Sequence, residues 1–583
     1  MRNILLCAAA AASLAACNNG NSTGKGTGVD SAVNQAFAAY QQHFIDDLWK
    51  ENPGWATSVG YHKYDSVLVV RNEAATQASL AFSARHLDSL KTFHLDQLTD
   101  ANKIDYHLME DYLNSNVWSI KELKSNEWDP SEFNISGGFA TILNENYAPL
   151  ESRLRSFYAR LKNVPAYYEA AKAQVKDPVP ELQQLAIAQN NGGASVFDKD
   201  FVDSLKSTNF SAEEKKAMTA SAQAAAAAMR GYANWLSALK PAHPRSFRLG
   251  KDLYDQKFRY TVQSSYTAAQ IYDSAIVRKK YVHGEMTRIS RELWPKYFGN
   301  APMPADSLEL IGRMIDTLSV QHVKPAEFQS AIEKQIPELV KFIKEKDLLY
   351  LDPSKPLVVR KEPAYMAGVA GASISAPGPY DKGGNTYYNV GSLEGWSAVE
   401  SESYLREYNH YIMQILDIHE AIPGHYTQLV YSNQSPSLIK SIMGNGAMIE
   451  GWAVYTEQMM LESGYGNNAP EMWLMWYKWN LRTVCNTILD YSVHVNNMSK
   501  EDALHLLTKE AFQQQAEAEG KWRRVTVSSV QLTFYFTGYK EIIDLREAYK
   551  KKMGNDYKLK TFNEKFLSYG SAPVMYIRQL MLQ

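Results

Sequence analysis

The sequence predicts a mainly α-helical protein with a small β element in its C-terminal half. Two observations carry that prediction and a third locates the exception. Apolar residues recur at three- and four-residue steps through residues 29–162 and again through 205–239, the period of helices with one buried face. Strong helix formers are concentrated in the second stretch, where residues 223–230 read Gln, five alanines, Met and Arg. Residues 365–390 differ: they are rich in Gly, Ala, Ser, Pro and Tyr. Their short alternating runs at 372–375 and 386–390 predict two strands joined by a turn at 381–384. A strand edge there could bind an extended peptide through main-chain hydrogen bonds, and an ordinary structural hairpin is the alternative.

In chain order, the first segment is a processing signal. Arg2 supplies a positive charge, residues 4–16 are mostly apolar, and Leu14-Ala15-Ala16-Cys17 has the form of a bacterial lipobox. Residues 1–17 are therefore expected to be a lipoprotein signal peptide, with Cys17 becoming the acylated first residue. The apolar run is shorter than the roughly 20 residues a membrane-spanning helix needs. Residues 18–30, with Asn, Gly, Ser and Thr predominating, form a flexible tether. No other segment is long and apolar enough to cross a bilayer, so the expected location is the bacterial cell envelope. The body would be lipid-anchored at the outer membrane or the periplasmic face.

Of the three cysteines, Cys7 leaves with the signal and Cys17 takes lipid, so Cys485 stands alone and no internal disulfide forms. Cys485 sits in an apolar helical context and is expected to be core. The formal charge of −2, which becomes −3 without Arg2, gives no reason to expect a nucleic-acid partner. Breaks are expected at 190–193 (Asn-Asn-Gly-Gly) and 241–244, and no fixed-period repeat is present. The organisation read from this is an N-terminal helical half, 31–350, and a C-terminal half, 351–583, that carries the site.

The site is suggested by His419-Glu420-Ala421-Ile422-Pro423-Gly424-His425, followed by Glu450-Gly451-Trp452-Ala453. Two imidazoles and one carboxylate fill three zinc positions and leave the fourth for water. A carboxylate beside the first ligand can take the proton of that water. His419, His425 and Glu450 are accordingly the expected Zn2+ ligands, and Glu420 the expected general base. The histidines are six residues apart rather than four. On a regular helix their rings would diverge by roughly 120°. Pro423 and Gly424 supply the remedy, because a kink or bulge there brings His425 back over His419. Residues 405–416 read as one helix leading into this motif, and 448–461 as a second helix. On the latter, Glu450 and Glu457 are two turns apart and share a face. Gly451 lets another backbone come close to Glu450, and Glu457 is expected to orient a ligand imidazole from behind.

His-Glu-Ala-Ile-Pro-Gly-His followed by Glu-Gly-Trp-Ala-Val-Tyr-Thr-Glu resembles the domain of unknown function 885 family. These are bacterial proteins grouped with the gluzincin-type zinc metallopeptidases and often lipoproteins. Residues 52–60 (Asn-Pro-Gly-Trp-Ala-Thr-Ser-Val-Gly) and 104–108 (Ile-Asp-Tyr-His-Leu) are similar to its N-terminal helical signatures. Arg524, Gln531 and the stretch Tyr535-Phe536-Thr537-Gly538 are similar to a C-terminal one. The chain departs from the family pattern at Tyr426, where a second histidine is usual, at Ser529-Val530 in place of Pro-Gly, and at Asn563 in place of His. The resemblance implies a large helical metallopeptidase-like body that cleaves peptide bonds. Tyr535 is then a candidate proton donor to the oxyanion, and Arg524 a candidate for binding a substrate carboxylate or carbonyl. Competing readings are a cell-wall peptide amidase and a pseudoenzyme that keeps the scaffold. A third is a glycan- or nutrient-binding surface lipoprotein, whose 12 Trp and 36 Tyr would form sugar platforms without metal.

Overall fold

Asp30 accepts hydrogen bonds from the amides of Ala32 and Val33 and so starts helix α1 (Ser31–Glu51). Thr99 does the same for α2 (Asp100–Trp118). Full capping boxes, Ser211 with Glu214 and Thr267 with Gln270, open the two longest helices, α3 (Ala212–Ala238) and α4 (Ala268–Phe298). The computed structural model describes residues 28–362, 372–381 and 385–583. The signal segment 1–17 with Cys17, tether residues 18–27 and the turn residues 382–384 lie outside these.

Of the described residues 72% are helical, and among them one small three-stranded sheet is present, as the periodicity predicts. The sheet contains β1 (Leu357–Lys361), β2 (Ala372–Ser375) and β3 (Thr386–Val390) in the order β1-β3-β2. β2 and β3 pair antiparallel, with Ala372 opposite Val390 and Ser375 opposite Tyr387. β1 joins β3 in parallel and has no counterpart in the sequence reading, because Leu357-Val358-Val359 is too short an apolar run to show alternation.

Two local expectations are corrected. Residues 405–416 are not one helix: α5 (Ala398–Glu407) ends and, after a two-residue gap, α6 (His410–Glu420) begins. The Asn409 side chain accepts from the amides of Tyr411 and Ile412, which gives the backbone a new start. The break expected at 190–193 falls at the end of a helix, Pro180–Gly193, and not before it. Asn190 is buried in that helix and accepts from the Tyr168 hydroxyl at 2.8 Å.

After the sheet come α6, then α7 (His425–Asn433), α8 (Gly446–Glu462), α9 (Pro470–His494), α10 (Gln515–Val527) and α11 (Phe534–Met553). α9 is buried on nearly every side and packs along α4. Cys485 lies inside it, where burial pushes the thiol up to about 12 and makes it inert packing material. The larger hydrophobic core extends from Phe37 to Met581 and draws on both sides of residue 350; a smaller core lies within residues 133–236.

Both N-terminal signatures brace the C-terminal part. Asp105 of α2 is buried and accepts from Gln41, Ser437 and Lys440, the last an equally buried ammonium. Val59 sits so close to Gly378 that a Cβ there would lie 2.1 Å from the Val59 carbonyl oxygen. Trp49 donates to the Tyr380 hydroxyl at 2.9 Å, so the segment between β2 and β3 is held from the N-terminal side. The sheet in turn holds α6: Tyr388 of β3 donates to buried Asp417 at 2.9 Å.

Candidate metal centre

α6 stops at Glu420, and its chain turns over Ala421, Ile422, Pro423 and Gly424 before His425 opens α7. The sequence-based expectation was a kink or bulge within one helix; the chain instead forms two helices separated by a turn. Pro423 has no amide hydrogen to continue α6. Its carbonyl accepts from the Trp452 indole at 2.9 Å. The Gly424 amide donates back to the Ile418 carbonyl at 3.0 Å. A Cβ on Gly424 would sit 1.8 Å from the His419 carbonyl oxygen, so only glycine fits this turn. The result is that His419 and His425 face each other with ring centroids 4.9 Å apart and planes at 87°.

Glu450, on the second turn of α8, reaches into the same space. Its Oε2 lies 3.7 Å from His419 Nε2 and 3.4 Å from His425 Nε2. Ligand atoms at tetrahedral angles around zinc, each about 2.0–2.1 Å from it, are about 3.3 Å apart. Neither contact is a good hydrogen bond, and Glu450 Oε2 is a buried oxygen without a hydrogen-bond partner. A carboxylate oxygen left facing two imidazole nitrogens in this way suits a shared cation. Ligand atoms of His419, Glu420 and His425 also lie within 4.8 Å of one another. Glu450 makes the closer approach to both rings, which leaves Glu420 free beside them.

Behind His419 stands Glu457, fully buried, with Oε1 2.7 Å from His419 Nδ1. Two indoles fix that carboxylate: Trp479 donates to Oε1 at 3.1 Å and Trp476 to Oε2 at 3.2 Å. Nδ1 faces Glu457, so Nε2 is the His419 ring nitrogen turned toward the cluster. The tryptophans were missed in the sequence reading. Their signal was the three-residue spacing of Trp476 and Trp479, which puts both on one face of α9.

The electrostatics are strongly coupled. Burial opposes charge on His419, yet Glu450 and Glu457 outweigh it and hold the imidazole up at about 10. Burial would raise Glu450, but the His419 and His425 imidazoles reverse that and keep its carboxyl well below the usual range. Glu420 is raised by burial, with the Glu450 charge adding to it and the two imidazoles opposing. A carboxylate moved toward neutrality is the kind suited to exchanging protons.

Tyr535 and Arg524 are brought together at the side of the cluster. The Tyr535 phenol is raised by burial and by the charge of Glu450 and, less, of Glu420, with Arg524 opposing. Arg524 Nη2 donates to Gln531 Oε1 at 2.6 Å and lies 3.5 Å from the Tyr535 hydroxyl. α8 and α11 cross in near backbone contact: a Cβ on Gly451 would meet Gly538 at 2.2 Å. This is the close approach expected beside Glu450.

The three departures from the family pattern take structural roles. Tyr426 donates to the Lys355 carbonyl. Asn563 is buried, accepting from Tyr455 and donating to the Leu348 carbonyl. Val530 takes φ +71°, a conformation glycine would adopt without strain. It is held by Asp490, which accepts from the Val530 and Leu532 amides.

The profile of a family of bacterial proteins of unknown function, DUF885, matches residues 53–581. The chain belongs to the DUF885 family. This DUF885 chain is also similar to a solved structure from Shewanella oneidensis, described as a candidate lipoprotein of unknown function. The two share 55% identity over 94% of this chain and 100% of that one, with a TM-score of 0.87. A candidate lipoprotein from Colwellia psychrerythraea shares the fold, with a TM-score of 0.76 at 17% identity over 94% of this chain and 98% of that one. No curated protein matches this DUF885 chain.

Proposed function

We propose that this protein is a zinc-dependent hydrolase of peptide bonds, a metallopeptidase of the gluzincin type tethered to the cell envelope. The observation that carries the reading is the convergence of His419 Nε2, His425 Nε2 and Glu450 Oε2, with Glu457 behind one ring and Glu420 beside both. His419, His425 and Glu450 would hold the ion. Zinc, when bound, supplies Lewis acidity that polarises a carbonyl and acidifies water.

The chain's own groups do the rest. The Glu420 carboxylate takes the proton from the attacking water and delivers it to the leaving amine. The Tyr535 hydroxyl donates to the oxyanion, and Arg524, beside it, fixes that phenol or a substrate carbonyl. Glu457 keeps the His419 ring in one tautomer and one orientation. Envelope anchoring is supported by the Cys17 lipobox and by the description of both related structures as candidate lipoproteins.

The test is metal analysis of purified protein joined to digestion of a peptide library, for the natural chain and for Glu420→Gln. Expected are about one zinc per chain in both, cleavage by the natural chain, and loss of turnover in the variant. Full activity in Glu420→Gln removes Glu420 from the base role; a chain that takes up no zinc overturns the reading.

A further inference from the structure

Next to the metal centre lies a group of charged side chains that peptide cleavage does not by itself require. Among the described residues, four basic side chains, Lys478 and Arg482 on α9 and Lys521 and Arg524 on α10, meet two carboxylates, Glu407 and Glu517. Lys478 takes Glu407 at 2.8 Å, and Arg482 Nη2 takes Glu517 at 2.7 Å. Lys521, with a side chain only 4% exposed, reaches Glu517 no closer than 3.7 Å. Arg524 is bonded to the neutral Gln531 and borders the Tyr535 hydroxyl. Arg482 Nη1 is buried with no hydrogen-bond partner. Positive charge is thus in excess in a partly desolvated place, which is costly unless an anion arrives.

The group opens toward solvent through Arg482 and Glu517, whose side chains are 21% and 31% exposed. It is tied to the candidate catalytic groups from two directions. The Arg482 guanidinium stacks over Trp479 at 5.1 Å, and Trp479 donates to Glu457 behind His419. Arg524 borders Tyr535, which feels the charge of Glu450 and Glu420. The imbalance also acts on Lys521: burial and then the Arg482 charge push its ammonium down to about 7.

We propose that Lys521, Arg482 and Arg524 form a carboxylate-binding subsite beside the metal centre, so that the preferred peptides present a carboxylate close to the scissile bond. This rests on the metallopeptidase reading and specifies its substrate class. The carboxylate is either the C-terminal group of a short peptide or an Asp or Glu side chain, and the two are told apart by the probes below.

Binding to metal-stripped protein is measured by calorimetry, so that no readout depends on turnover. The probes are N-acetyl-trialanine as free acid, the same peptide as its C-terminal amide, and N-acetyl-Ala-Glu-Ala amide. One charged probe should bind at least about tenfold tighter than the neutral amide, the size of a hydrogen-bonded charge contact. A preference for the free acid assigns the subsite to the terminus, and one for the Glu peptide assigns it to a side chain. In Lys521→Met, which leaves the Arg482–Glu517 pair intact, that preference should fall to less than about threefold. Equal affinities, no measurable binding of either charged probe, or a preference that survives in a folded Lys521→Met overturns the proposal. Should that variant not fold, the comparison of probes on the natural chain decides alone. A chain that holds zinc and cleaves peptides but binds acid and amide equally loses this inference only. One that prefers carboxylates but takes up no zinc loses the metallopeptidase reading.

Discussion

Gly538→Ala separates helix propensity from close packing, because the two predict opposite signs. Position 538 lies inside α11, where alanine in place of glycine ordinarily stabilises by about 1 kcal/mol. Here the new Cβ would sit 1.7 Å from the Ala447 carbonyl oxygen and 2.8 Å from Gly451 Cα. Both are backbone atoms, so no side chain can swing aside. Real Cβ atoms essentially never come within 3.0 Å of another heavy atom, so α8 and α11 must part by about 1 Å or more. Overpacking of this kind costs about 1–3 kcal/mol, and an immovable neighbour puts the cost at the upper end. The net expectation is a loss of about 2 kcal/mol. The same movement displaces Glu450, one residue before Gly451, relative to the imidazoles. A metal site tolerates errors of only about 0.2 Å in its ligand distances, so zinc affinity should fall at least about tenfold. Thermal unfolding and a chelator competition check both. A Gly538→Ala protein as stable as the natural chain, with zinc affinity intact, would refute the argument that this crossing positions the ligand.

Other outcomes can be stated more briefly. His425→Ala should abolish zinc retention after dialysis, and unchanged zinc content means the ligand set is wrong. Glu457→Gln keeps the shape but weakens the support of His419, so zinc affinity should drop about 10–100-fold with the fold retained; chelator titration measures it, and an unchanged affinity denies Glu457 its part. In metal-free protein, His419 is held up at about 10 from its ordinary 6.5. Its contribution to stability is therefore complete below pH 6.5 and disappears as pH rises toward 10. Glu450 is held below its ordinary 4.5, so its contribution is complete above pH 4.5 and is lost as pH falls. Urea unfolding of the natural chain against His419→Gln should show an advantage at pH 6 that shrinks by pH 9.5, and a pH-independent difference would contradict this.

The mainly helical class was legible because periodic apolar faces and strong helix formers state it locally, as in the alanine run of residues 223–230. The strands at 372–375 and 386–390 were legible from alternation, but β1 was not, since its place depends on pairing with β3 across intervening chain. In the site, spacing brought His419, His425 and Glu450 forward as a group, and the structure brings them together. The means escaped the sequence. Whether Pro-Gly bends a helix or ends it depends on Trp452 capturing the Pro423 carbonyl from another helix. The indole pair behind Glu457 was equally hidden, because only tertiary packing turns two core tryptophans into donors for one carboxylate. Asn190 shows the converse: its breaker character was overridden by a buried bond from Tyr168.

The contact between Asp105 and Lys440 has a consequence for how the molecule is made. A ribosome completes α2 more than three hundred residues before it adds the ammonium that neutralises it. Until then the emerging N-terminal portion carries an acidic side chain that its own neighbours, Gln41 among them, cannot discharge. Early closure of α2 onto its N-terminal neighbours alone is thereby discouraged.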